Sequence, residues 1–138
     1  MTAKEYLEQP MNLDMRIKSK AMQVASLRSL AERSTATLSA ASCSGTGSRG
    51  MERFVLIIAG LEKEIEQDTV RMTSLMEEIS LAINSVDDCN QRTLLHLRYI
   101  CFLSWEDIAE ELGLSVSFVY KLHRRALSNL TVPSQALS

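Results

Sequence analysis

The sequence predicts an all-α protein: a long N-terminal antiparallel helical hairpin, a coiled coil, followed by a three-helix helix-turn-helix domain. Three observations carry this. Apolar residues recur every seven positions through the middle of the chain, aromatics make up only 5% of its 138 residues, and Gly (5) and Pro (2) are scarce. Sandwiches and barrels need β-formers and frequent turns, which this inventory lacks. With 46% hydrophobic and 23% charged residues, the chain can bury a core.

The first helix is expected over Tyr6 to Leu38. Leu13, Ile17, Lys20, Val24, Leu27 and Ala31 step by alternating fours and threes, a heptad seam with one charged intruder, Lys20. Pro10 suits the first turn of a helix, where its missing N–H costs little, so the helix can equally begin there. Residues 34–50 are rich in Ser, Thr, Ala and Gly and read as a linker, with its Ser/Gly core at 39–50. No phosphate-loop pattern and no preceding apolar strand support a phosphate cradle in this stretch.

The second helix, Met51 to about Val86, has the clearest period. Met51, Ile58, Ile65, Met72, Ile79 and Val86 form one stripe, and Phe54, Leu61, Asp68, Leu75 and Ala82 form its neighbour. Folding the two helices back about residue 44 sets Lys20 opposite Asp68, a pair that fixes register more than it stabilises. A parallel homodimer through the second helix is the alternative. Residues 54–59 are apolar around most of the helix, more than a two-helix seam can cover. Phe54, Val55, Ile58, Leu61 and Ile65 are therefore expected to mediate homo-oligomerisation, in a first domain spanning 1–86.

From Asp87 the pattern shifts to short helices, and a second domain is expected over 87–132. Asp87 and Asp88 can cap a helix running to about Ile100. Ser104 with Asp107 resembles a capping box opening a helix over Trp105–Leu112. Gly113 provides the left-handed turn, and Ser115 caps a third helix through Phe118 to about Leu130. In this unit Ile108, Ala109 and Leu112 face inward, Leu114 plugs the turn, and Val119 and Leu122 anchor the last helix. Such a pair projects the N-terminal half of its second helix into a DNA major groove. Ser115, Ser117, Phe118, Tyr120 and Lys121 are the expected base-reading and groove-wall residues, and His123, Arg124 and Arg125 the phosphate contacts. Trp105 is expected as a lid on the core and His96 as a structural helix residue. The acids at 106, 107, 110 and 111 read as a solvated face or a surface for a protein partner.

The formal net charge of −2 hides a polarity: +3 over residues 1–50, −6 over 51–88 and +1 over 89–138. The bases of the last part cluster at Lys121, Arg124 and Arg125, so the whole-chain value is a poor guide to nucleic-acid binding. No apolar run is long enough to span a bilayer and the N-terminus has no signal-peptide core, so a cytoplasmic protein is expected. Cys43, Cys89 and Cys101 show no metal-ligand spacing; reduced thiols and no zinc site are expected. No nucleophile motif, His/Cys/Asp cluster or phosphate loop points to an enzyme, a metal or a cofactor.

Leu97-Arg98-Tyr99, Asp107-Ile108-Ala109, Leu112-Gly113, Ser115, Val119, Leu122 and Ala126-Leu127 stand at offsets that resemble region four of bacterial sigma factors. With the helical pair and the linker, nearly the whole chain looks like a family of small sigma-factor-like proteins. These come from phages and mobile elements of Gram-positive bacteria and are described mostly as a domain of unknown function. The resemblance implies a sequence-specific transcription regulator that binds double-stranded DNA and can touch RNA polymerase. Sigma factors tend to carry a polar or basic residue where this chain has Phe118, so their base-reading scheme does not transfer there. The chain also has no counterpart of the promoter-melting region, so it is not a complete sigma factor. Two other readings compete with DNA-bound regulation: an adaptor that binds polymerase without touching DNA, and a small terminase-type packaging subunit.

Overall fold

A computed structural model of the protein describes residues 1–41 and 46–133. Among the described residues it is all-helical, with no strand. The helices are α1 (Ala3–Ala41), α2 (Thr46–Asn84), α3 (Cys89–Tyr99), α4 (Trp105–Leu112) and α5 (Val116–Asn129). Both long helices extend into the stretch expected to be a linker, which is helical through Ala41 and again from Thr46. Ser, Thr and Ala are tolerable helix formers, and α2 runs through both Gly47 and Gly50. Residues 42–45, with Cys43, lie outside the described residues.

The chain divides into two compact units, residues 1–13 with 71–138, and residues 14–70. The start of α1 and the last turns of α2 thus belong to the same unit as α3, α4 and α5. In the first unit Tyr6 and Leu7 of α1 and Ile79 and Ile83 of α2 share one core with Val86, Leu94, Leu95, Tyr99, Ile108, Val119, Leu122, Ala126 and Leu130. The start of α1 is built for this. Thr2 and Glu5 form a reciprocal cap, Glu5 N–H donating to Thr2 Oγ1 (3.1 Å) and Thr2 N–H to Glu5 Oε2 (2.8 Å). Pro10 therefore lies inside α1 and is fully buried. Its ring leaves the Tyr6 carbonyl without its helical donor, and Gln9 Nε2 fills that role at 3.1 Å.

The short helices start and stop where the sequence expects. Asp88, Ser104 and Ser115 accept from the backbone N–H groups of Gln91, Asp107 and Phe118 respectively. Arg92 ties the connection between α2 and α3 by donating to the carbonyls of Val86 (2.9 Å) and Asp87 (3.2 Å). Between α3 and α4, Arg98 Nη1 donates to the Leu103 carbonyl at 2.9 Å, beside Phe102 at φ 59°. Asn129 Nδ2 donates to the buried Gln91 side chain at 2.8 Å, joining the end of α5 to α3.

In the unit of residues 14–70, Lys20 Nζ meets Asp68 Oδ2 at 2.7 Å and Glu64 at 3.7 Å, Arg16 stands 3.7 Å from Asp68, and Arg28 pairs with Glu62. Partners descend along α2 as they rise along α1, so the two helices run antiparallel within one chain. Asp68 is 9% exposed. The hydrogen bond from Lys20 holds its carboxyl below the usual range, overcoming the opposing effect of burial, with Arg16 adding to the lowering. Val24 and Ala31 are buried on the α1 side of this seam. No helix among the described residues is long and apolar enough to cross a membrane.

Candidate nucleic-acid interface

The turn between α4 and α5 depends on backbone conformation. Gly113 adopts φ 66°, a left-handed geometry that costs an L-residue about 1–2 kcal/mol. A Cβ there would meet nothing within 4 Å, so conformation and not space calls for glycine. The Gly113 and Leu114 N–H groups fold back onto the carbonyls of Glu110 (3.2 Å) and Ala109 (2.9 Å), closing the end of α4. Ala109 is buried, where a small side chain suits close helix packing.

α5 then presents two distinct faces. Val119, Leu122, His123 and Ala126 are buried, while Ser117, Phe118, Tyr120, Lys121, Arg124 and Arg125 are exposed. By helical spacing Ser117, Lys121 and Arg124 run along the middle of the open face, with Tyr120 on one flank and Phe118 and Arg125 on the other. Phe118 and Tyr120 remain 44% and 43% exposed. The helix carries no acid. Ser115 is exposed, and its hydroxyl is engaged as the cap of α5, accepting from Phe118 N–H at 3.1 Å. On α4, Glu106, Asp107, Glu110 and Glu111 are exposed.

His123 departs from expectation. Instead of facing phosphates it is 8% exposed, with Nε2 2.6 Å from the Tyr99 hydroxyl. Its position on α5 lies a full quarter-turn from Arg124, toward the core, and sequence adjacency to two arginines concealed that. Burial, reinforced by the positive charges of Lys4 and Arg98, lowers its pKa to about 4. Burial likewise raises Tyr99 to about 12, with Glu8 adding to the rise. Both groups are thus neutral near pH 7, and the phenol and the imidazole share one hydrogen bond. Trp105 sits edge-on to His123, ring centroids 4.5 Å apart, with Tyr120 at 5.4 Å and the Arg98 guanidinium 4.4 Å above its ring. The expected lid is present: Trp105 packs against the buried core, and Arg98, Tyr120 and His123 surround its ring. His96 bonds Asn84 at 2.9 Å, a structural role linking α3 to α2.

Sequence reasoning missed the Tyr99–His123 pair, and no spacing rule would have revealed it. It also missed Tyr6 and Pro10 as core residues, although the four-three stepping of the seam continues backward from Leu13 through both. Of the residues expected to mediate oligomerisation, Val55 is exposed, whereas Phe54, Ile58, Leu61 and Ile65 are half-buried along the seam stripes; Leu56 and Ile57 are exposed beside Val55. Among the described residues no cluster of His, Cys, Asp or Glu could hold a metal ion.

An all-helical chain whose last helix separates a packed face from a cationic one is the class these observations define. The chain belongs to the family described as protein of unknown function DUF1492, whose model matches residues 33–131. No curated protein and no solved structure matches the chain.

Proposed function

We propose that the protein is a sequence-specific DNA-binding transcription regulator of a phage or mobile element, with α4, Gly113 and α5 acting as a helix-turn-helix. The observation that carries this reading is the open face of α5. Three cations and a serine lie along it with no acid, while its opposite face is locked into the core of the unit. Lys121 and Ser117 are placed to read base edges in the major groove, and Arg124 and Arg125 to engage phosphates. Phe118 and Tyr120 offer apolar surface to thymine methyl groups or the sugar wall. The likeness of Leu97–Leu127 to sigma region four supports the same reading. One module with three cations binds weakly at physiological salt, so the regulator acts as an oligomer that engages two half-sites.

The test is selection of bound fragments from host and phage DNA by the full chain, followed by affinity measurement on the recovered site. Lys121→Ala is expected to weaken binding and relax sequence preference. Arg124→Ala and Arg125→Ala are expected to weaken binding evenly across sequences. Failure to enrich any fragment would overturn the reading. The exposed acids of α4 favour one alternative, an adaptor for RNA polymerase, and polymerase binding that survives all three substitutions without any DNA affinity would establish it. A closed ring in solution would instead favour a packaging subunit.

A further inference from the structure

The two aromatic residues on the flanks of α5 are almost equally exposed, but they are held differently. Among the described residues Phe118 meets no other ring, whereas Tyr120 leans on Trp105, ring centroids 5.4 Å apart and tilted by 60°. Trp105 is itself fixed by three contacts. It is the first residue of α4, directly after Ser104, whose hydroxyl accepts from Asp107 N–H at 3.2 Å. The Arg98 guanidinium lies 4.4 Å from the centroid of its ring, and Arg98 Nη1 is tied to the Leu103 carbonyl. His123 meets the indole edge-on and is locked in turn by the buried Tyr99 hydroxyl. We propose that Trp105 is a positioning residue for DNA reading, holding the Tyr120 ring in place before DNA arrives.

The reason lies in what binding does to an exposed side chain. A ring that turns freely on an open helix face loses its rotamer freedom when a ligand immobilises it, and a ring held beforehand has already lost it. Sparing one rotamer-rich side chain that loss is worth about a two- to tenfold gain in affinity. Trp105 can hold Tyr120 because its other neighbours are anchored: Arg98 to the connection between α3 and α4, and His123 to α3 through Tyr99. The contact is one-sided. Tyr120 stays 43% exposed, so the ring that is held remains open to a ligand on the α5 face. Rigid neighbours behind a contact residue are what a preformed binding face requires.

This rests on the proposed DNA-reading role of α5, so one arm of the test contains no DNA. Full chain carrying 3-fluorotyrosine at its three tyrosines gives a fluorine signal for Tyr120, identified by its loss in Tyr120→Phe. In the parent that signal should relax like those of the buried rings of Tyr6 and Tyr99. In Trp105→Leu it should take on the fast motion of a free surface ring. The other arm is a double-mutant cycle on the DNA site recovered by the full chain, with helicity followed by circular dichroism. Trp105→Leu is expected to weaken binding about two- to tenfold, and Trp105→Phe, which keeps a ring, to restore most of it. Trp105→Leu combined with Tyr120→Leu should bind no worse than Tyr120→Leu alone, whereas a lid that only closes the core gives additive losses. Should Trp105→Leu fail to fold, the Tyr120 signal of the parent decides. Additive losses, or a freely moving Tyr120 in the parent, would overturn the proposal while DNA binding stands. A parent that recovers no DNA site overturns the reading of α5, and the proposal with it.

Discussion

The Tyr99 hydroxyl and His123 Nε2, 2.6 Å apart and buried, are the polar centre of the α3–α5 packing. Removing the hydroxyl in Tyr99→Phe leaves an imidazole nitrogen without its hydrogen-bond partner, and an unsatisfied buried polar atom costs about 1–3 kcal/mol. Thermal melts should register that loss. The same pair sets a pH dependence. The histidine takes up a proton near 6.5 when the chain is unfolded and only near 4 when it is folded. The unfolded state therefore binds more protons between those values, and stability that is full above pH 6.5 falls as pH drops toward 4. The shift corresponds to on the order of 3 kcal/mol. His123→Gln should flatten the melting temperature across that window. Asp68, whose carboxyl is held below its ordinary 3.8, supplies stability that is present above that value and lost only as pH falls further. The two effects thus occupy separate pH ranges.

Among the elements, the helical pair was the most readable, because a seven-residue repeat is a property of the sequence before any fold exists. Two charged residues broke the repeat, one on each helix, and the position where they could meet predicted the hairpin register. A buried ion pair of this kind tends to specify more than it stabilises. Lys20→Met, which strands Asp68 in the seam, should lower the melting temperature. The double change Lys20→Leu with Asp68→Leu should restore or raise it, while allowing neighbouring registers; melts of the three proteins settle the order. The caps of α3, α4 and α5 were legible too, since Asp, Ser and Gly hold their roles through local backbone chemistry. The parts that were not legible depend on long-range packing. His123 sits beside two arginines in sequence, but a helix turns each neighbour by about 100°, and the core lies on its side. The start of α1 likewise reads as a helix end, until Tyr6 and Leu7 are found sharing a core with Val119 and Leu130. A fragment of residues 87–138 lacks Tyr6, Leu7, Pro10, Ile79, Ile83 and Val86. It should show no cooperative thermal transition, so DNA binding by the last three helices has to be tested with substitutions in the full chain.

For the whole molecule, a net charge of −2 is compatible with the proposed DNA binding because the charges are segregated. The bases of α5 face outward, while Arg16, Lys20 and Arg28 of α1 pair with acids of α2 and Lys4 and Lys18 with acids of α1 itself. Three cations on one module release about three counterions, giving log affinity a slope of about −2.7 against log salt, and two modules together about −5. The recovered DNA site should show the steeper value with the full chain, and a slope of about −2.7 would mean that one module binds alone.

The sharing of one core by Tyr6, Leu7 and Leu130 also bears on how the protein is made. Tyr6 and Leu7 are synthesised more than a hundred residues before Leu130, and must wait that long for this packing partner. At about 5–20 residues per second that delay is on the order of ten seconds. During it the hairpin has all of its own sequence available, while Tyr6, Leu7, Ile79 and Ile83 at one end of it still lack the α3 and α5 residues with which they share a core. Until then the hairpin carries a sticky end, and the arrival of α5, the proposed DNA-reading helix, is also the event that seals it.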